Sequence, residues 1–479
     1  MNFNSGAFLL YLPVVFTVHW LLPHRFRWIF LLAASWFFYM YFNPVLIVLL
    51  LATTLVSYGA ALIITRHPQH KKLCLTVTLI VCLGILGYFK YTNFFLDSIC
   101  ALIGCESPSL NILLPVGISF YTFQTLSYVI DVYRGDYPAE PHLGYYSLFV
   151  VFFPQLVAGP IETPGDLLPQ LKAERHLNAD DLRAGIRLLL CGFFRKCVVA
   201  DLCGTYVNAV FGDLGSANAL SVAGAGALFC IQMYCDFAGY SEIASGCARL
   251  LGIRLTRNFN RPYLSQSYTE FFRRWHISLN RWFTQYLYIP LGGNRHGQAA
   301  KTRNTIIVFA LCGLWHGASW TYVLWGLYAA FFVCIESMLR KPVRRFASKH
   351  EINMRHSLIV LARRIVMFFI FIPAALLFRA ESLPQIGELC RILVSGGFAL
   401  TDALSSLGLN AYSLVLLVLI LCAMTRLHVW GEFDLQPAPN ATIHARRDVG
   451  LVLMTLAIAL SWLALLATQD AAGFAYFQF

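Results

Sequence analysis

The chain has 479 residues, 58% of them hydrophobic and only 13% charged, with a formal net charge of +12. A soluble domain carries about 25% charged residues, so the composition argues against an ordinary water-soluble enzyme and for an all-α, polytopic membrane protein. The charge does not indicate nucleic acid as a partner, because no separate basic domain exists to hold a polyanion.

Crossing a bilayer takes about 20 apolar residues. In chain order, apolar stretches predict helices near residues 7–22, 28–42, 45–65, 73–89, 145–158, 186–203, 219–237, 286–289 with its flanks, 305–315, 322–338, 358–378, 413–424 and 449–467. Only a helix satisfies its own backbone in lipid. Several stretches are too short or too polar to cross alone and predict tilted, re-entrant or interfacial segments, leaving about eleven transmembrane helices. The opening MNFNSGAFLLYLPVVF has no basic leader and no small-residue cleavage site, so it reads as the first span. The longest polar stretches are 159–182, whose GPIETPGDLLPQL marks a loop, and 431–448. No repeat or long linker divides the chain, so residues 1–479 read as a single membrane-embedded domain with its motifs densest over 114–325.

The basic residues fall into HRFR at 24–27, RHPQHKK at 66–72 and RKPVRR at 340–345, which read as loops between spans. The turn at 43–44 is uncharged, and 97–109 carries acids without Lys or Arg. The positive-inside bias then places the basic loops in the cytoplasm and Met1 in the periplasm. The 14 cysteines lie mostly in apolar runs, without a C-x-x-C pair or a metal-ligand spacing, so no metal is expected. Cys100 and Cys105 flank the expected outward loop.

Chemistry concentrates in residues 270–326, which contain EFFRRWHISLNRWFTQYLYIPLGGNR and then GLWHGASWTYVLWG. His276 and His316 therefore sit in aromatic, largely apolar surroundings. Imidazole exchanges protons near neutrality, and an ionisable group among apolar spans marks function by default. His316 lies between Gly313 and Gly317, which allow close helix approach and leave room for a thin acyl chain, with Trp315 and Trp320 as apolar walls that disfavour a charged ring. Asn280, four residues after His276, shares its helical face and can orient that ring. Arg273, Arg274 and Arg281 flank His276; each suits an interfacial anchor, and as a group they suit the phosphates of an anionic donor. Gln124, Asp131, Asp236, Tyr240, Ser241, Glu242, Asn258 and Asn260 are polar groups in or beside apolar segments, fitted either to helix-to-helix hydrogen bonds or to lining a watered path.

These segments, together with LPVGISFYTFQTLSYVIDVYRGD at 114–136, FFPQLVAGPIE at 152–162, DFAGYSEIASGCARLLGI at 236–253, NFNRPYL at 258–264 and the closing YFQF, resemble the membrane-bound O-acyltransferase family. Within it, the resemblance is to the branch that O-acetylates alginate and other bacterial exopolysaccharides. It implies an inner-membrane O-acetyltransferase moving acetyl from cytoplasmic acetyl-CoA towards a periplasmic polysaccharide. No cofactor would be permanently bound, and a separate periplasmic or membrane-anchored acetyltransferase would modify the sugar. The WHG histidine, His316, would be catalytic; His276 would support it by binding, proton relay or as a second acid–base; Arg273, Arg274, Arg281 and Asn280 would serve the donor. Thr284-Gln285 and Arg257 depart from the family pattern and bear on the acceptor or partner. Peptidoglycan, cellulose and D-alanylated teichoic acid are alternative acceptors, and a lipid or polymer transporter is the alternative of a different class.

Overall fold

A computed structural model describes residues 1–41, 43–108 and 110–426 and the single positions 455, 457 and 458. The described residues form helices and no strands, as a chain satisfying its backbone in lipid requires. They divide into two compact units: Met1–Leu189 with Ser241–Arg257, and Leu190–Tyr240 with Asn258–Phe479.

The first unit contains α1 (Gly6–Leu21), α2 (His24–Met40), α3 (Ile47–Arg66), α4 (Lys71–Ile103), α5 (Ile118–Arg134), α6 (Leu143–Val151), α7 (Phe153–Leu156), α8 (Pro164–Lys172) and most of α9 (Ala179–Phe193). After a π-helical turn, Phe194–Ala200, come α10 (Asp201–Gly212) and α11 (Ala219–Leu250), whose last turns belong to the first unit. The second unit continues with α12 (Tyr268–Phe272), α13 (Ile277–Phe283), a π-turn at Thr284–Tyr288, α14 (Gly297–His316), α15 (Trp320–Lys349), α16 (Ser357–Arg379), α17 (Leu383–Ser395), α18 (Leu400–Ser406) and α19 (Ala411–Arg426).

Five described helices are long and apolar enough to cross a bilayer, those at Pro44–Arg66, Pro68–Ile103, Ala219–Leu250, Trp320–Lys349 and Ser357–Arg379. A sixth results if α18 and α19, bent by 79°, count as one span. The expected total of about eleven exceeds this because the stretches at 7–22, 28–42 and 305–315 lie in helices, α1, α2 and α14, that are shorter or less apolar, and because several other stretches are broken. Residues 145–158 split into α6 and α7, 186–203 are interrupted by a π-turn, and 286–289 form a π-turn instead of a span. The stretch 431–448, and 449–467 apart from positions 455, 457 and 458, lie outside the described residues. Conversely, α5 was not among the expected spans. Its Ser, Thr and Gln lower the apparent hydropathy, yet nearly every side chain is buried.

Three of the expected loops are wholly or partly helical: HRFR at 24–27 forms the first turn of α2, and 159–182 and RKPVRR are the others. In 159–182, Pro164 occupies the first position of α8, where its missing N–H costs nothing and its fixed φ suits the helix. Thr163 Oγ1 donates to Asp166 at 2.7 Å across that start. RKPVRR lies within α15, which at about 1.5 Å per residue outruns a hydrocarbon core of about 30 Å and carries its exposed basic end beyond it.

The first unit is held by polar ties between helices as well as by aromatic packing. Tyr11 OH donates to Ala34 O at 2.9 Å, and Ser57 Oγ lies 2.6 Å from Tyr146 OH. Gln124 donates from Nε2 to Phe149 O and accepts at Oε1 from Glu162 N, while both Glu162 oxygens accept from Thr256. For Gln124 this is the helix-to-helix role among the two expected. Cys100 and Cys105 are both free thiols.

Candidate active site

In the second unit, α14 and α15 form a tight antiparallel pair around glycines. A Cβ on Gly313 would stand 2.1 Å from Tyr322 O, one on Gly326 2.2 Å from Phe309 O, and one on Gly317 2.2 Å from the Tyr322 ring. Close approach therefore follows from the small residues, as expected. The room for an acyl chain does not lie there: Tyr322 fills it.

The room lies on another side of His316. A cavity is lined by His316 and by rings of Tyr263, Tyr268, Phe271, Trp275 and Phe378 among others. Its walls come from α11, α12 with its flanking turns, the end of α14, α15 and α16. The His316 ring centroid is 4.9 Å from Trp315 and 5.3 Å from both Trp325 and Phe378. Trp320, expected as a wall, is 49% exposed and does not line the cavity, because as the first residue of α15 it points away from the hairpin seam. Other reactive groups on the wall are turned to backbone: Tyr263 OH donates to Cys230 O at 2.7 Å, and Cys230 Sγ to Phe371 O at 3.6 Å. His316 is the imidazole on this wall.

His276 is 1% exposed and stands close to the same site. Its ring is 4.6 Å from Phe237 and 6.0 Å from Trp315, so the Trp315 indole has both imidazoles as neighbours. His276 is not on a helical face. It caps α13 with φ 44° and ψ 56°, a left-handed conformation costly for a residue with a Cβ. Its surroundings hold it there. Asn258 O accepts from Ile277 N at 2.9 Å, and Asn258 Oδ1 accepts from Ser278 Oγ at 2.7 Å. Asn280 Nδ2 donates to Trp275 O at 2.7 Å and to His276 O at 3.2 Å. Asn280 thus fixes the backbone of His276 and does not reach its ring, correcting the shared-face expectation.

The three arginines do not lie on one helix. Arg273 and Arg274 occupy the turn before α13, and Arg281 lies on it. None lines the cavity. Arg273 is exposed, whereas Arg274 pairs with Glu270 at 2.7 Å, which lessens its availability to a donor. Of the remaining polar candidates in this unit, Asn260 is exposed and ties its backbone to Arg274, while Asp236 and Asn258 are buried.

Two features were not foreseen. Lys196, 1% exposed, lies 2.6 Å from Asp201 and 3.0 Å from Asp236, inside the π-turn. Neighbouring Arg195, 0% exposed, stands over the Tyr234 ring at 5.5 Å. The adjacent Arg-Lys in an otherwise apolar run was the available signal. The contribution of α16, through Phe371, Ala374, Ala375 and Phe378, had as its cue only the small residues beside Pro373.

The second unit thus places a histidine on the wall of an apolar cavity among apolar helices. The model of the membrane-bound O-acyltransferase family matches residues 137–378. The chain is 36% identical over 519 residues to the "Probable alginate O-acetylase AlgI" of Azotobacter vinelandii, covering 100% of both proteins. It is 37% identical over 462 residues to the protein of that name from Pseudomonas aeruginosa, covering 93% of this chain and 85% of that one. It is 34% identical over 378 residues to the "Peptidoglycan O-acetyltransferase" of Helicobacter pylori, covering 72% of each. The chain belongs to the membrane-bound O-acyltransferase family and is an O-acyltransferase.

His276→Ala is expected to lower acyl transfer by less than loss of His316 does, with expression intact, because its ring shares Trp315 with His316 without lining the cavity. Transfer and donor binding both at wild-type levels would make His276 a packing residue only.

Proposed function

We propose that this protein is an inner-membrane O-acetyltransferase that takes acetyl from cytoplasmic acetyl-CoA and passes it across the bilayer for O-acetylation of a periplasmic exopolysaccharide such as alginate. The observation that carries this reading is His316 on the wall of an apolar cavity. The names of the full-length relatives support a polysaccharide destination.

In the proposed reaction the His316 imidazole takes the proton of the acceptor hydroxyl as its oxygen attacks the thioester carbonyl. The C–S bond breaks, and the imidazolium returns the proton to the departing thiolate. General-base assistance of this kind contributes about 10²–10⁴-fold. The aromatic walls exclude water, which would otherwise hydrolyse the thioester. His276 supports the step through its position beside Trp315. The arginines, outside the cavity, attract the anionic donor collectively. A separate periplasmic or membrane-anchored acetyltransferase receives the acetyl group and modifies the sugar. Met1 faces the periplasm, and the basic residues at 24–27, in the first turn of α2, and at 66–72 face the cytoplasm.

Sidedness tests the reading. Radiolabelled acetyl-CoA supplied to inside-out vesicles holding this protein and its partner should label the polymer, and the same donor outside right-side-out vesicles should not. Equal labelling from both sides, or none from either, would refute vectorial transfer.

A further inference from the structure

A second pocket lies wholly within the first unit, far along the chain from the histidine segments. It is lined by His19, His24, Arg27, Trp28, Gln170 and Arg175 among others. No carboxylate lines it. Of the acids on neighbouring segments, Glu140 pairs with Lys172 and Asp181 with Arg249 at 2.6 Å, while Glu174, next to Arg175 in sequence, is exposed and does not line the pocket.

The pocket is built, not incidental. Arg27 donates from Nε to Leu22 O at 3.0 Å and from Nη1 to Arg175 O at 2.7 Å, and its guanidinium stacks 4.8 Å from the Trp20 ring. Those bonds fix its plane while Nη2 makes no hydrogen bond to the protein. Arg175 Nε is buried without a hydrogen-bond partner. Neither arginine forms an ion pair among the described residues. The first turn of α2 supplies His24, Arg27 and Trp28, and its N-cap, Pro23, makes no side-chain cap bond, so that helix end presents uncapped N–H groups. His24 is steadied by a 3.2 Å contact to Lys172 O. Two guanidinium groups with unused donors, an uncapped helix N-terminus and no acid form a receptor for a tetrahedral oxyanion.

We propose that this pocket binds a phosphate ester. The positive-inside bias sets the 24–27 turn on the cytoplasmic side, where two sources of that chemistry meet: an anionic phospholipid headgroup and a soluble diphosphate such as the acyl donor carries. The proposal shares no residue with the His316 cavity, so its failure leaves the acyl-transfer reading standing.

The full chain in detergent, as wild type and as Arg27→Gln/Arg175→Gln, tests it in two arms. One counts phosphatidylglycerol retained after purification by native mass spectrometry; the other measures inorganic pyrophosphate binding by equilibrium dialysis. Arg183→Gln/Arg355→Gln, which removes two exposed charges elsewhere, controls for net charge, and melting curves confirm folding. The pocket variant should lose at least about tenfold in binding in one arm, since each charge-assisted bond is worth that much, while the control keeps wild-type binding. Loss in the lipid arm assigns a headgroup site, and loss in the pyrophosphate arm a soluble-donor site. If a folded pocket variant binds both probes as tightly as wild type does, or no more weakly than the control, the proposal is overturned.

Discussion

His316→Ala should cut acetyl transfer by at least about 100-fold while leaving expression, membrane insertion and monodispersity unchanged. The imidazole is partly accessible at the cavity wall, and the neighbouring phenol of Tyr263 and thiol of Cys230 are bonded to carbonyls, so neither of these wall groups replaces it as base. Its removal takes away the ring contacts to Trp315, Trp325 and Phe378, a packing loss spread over an already open site. Purified membranes assayed for acetyl transfer give the readout. Residual activity above about a tenth of wild type would exclude the general-base role.

Lys196→Met should have the largest effect on stability. Lys196 and Asp236 are each 1% exposed, with Asp201 2.6 Å from the same ammonium. Taking away the cation leaves two carboxylates facing each other across a buried site, and breaking one partner of such a group costs about 3–5 kcal/mol. Adding Asp236→Asn should recover part of the loss, because it removes one of the repelling charges. Thermal melting of the detergent-purified protein, followed by size-exclusion monodispersity, measures both steps. A single variant melting at the wild-type temperature would show that the network is not structural. The π-turn holding Lys196 is an irregularity of the kind that often accompanies functional sites in helices.

Apolar length made several helices readable from sequence. The stretch 45–65 emerged as α3, 322–338 as the apolar part of α15, and 358–378 as α16. Hydropathy failed where burial occurs within protein. Helix α5 is too rich in Ser, Thr and Gln to register as a span, yet it is buried on almost all sides. Charge patterning likewise read RKPVRR as a loop, because a helix emerging from lipid carries the same residues as a loop does. For the site, the WHG and RRWH strings drew attention to His316 and His276, and the structure gives both to Trp315. Which rings complete the cavity was not legible: Phe371 and Phe378 reach His316 from α16 through tertiary packing that no local spacing encodes. The spacing of Gly313 and Gly317 signalled close approach correctly but not its occupant, which is Tyr322. Nor did the i+4 relation between His276 and Asn280 hold, because the chain turns left-handed at His276 before α13 begins.

Photolabelling tests most directly whether the apolar cavity beside His316 receives the acyl group. A coenzyme A thioester carrying a short diazirine acyl chain, irradiated with the purified protein, should label peptides containing Phe229–Met233, Phe271–Trp275 or Phe371–Phe378, which line the cavity. Unlabelled acetyl-CoA should compete for that labelling. Competed label found only on peptides away from these lining residues would contradict acyl binding in this cavity.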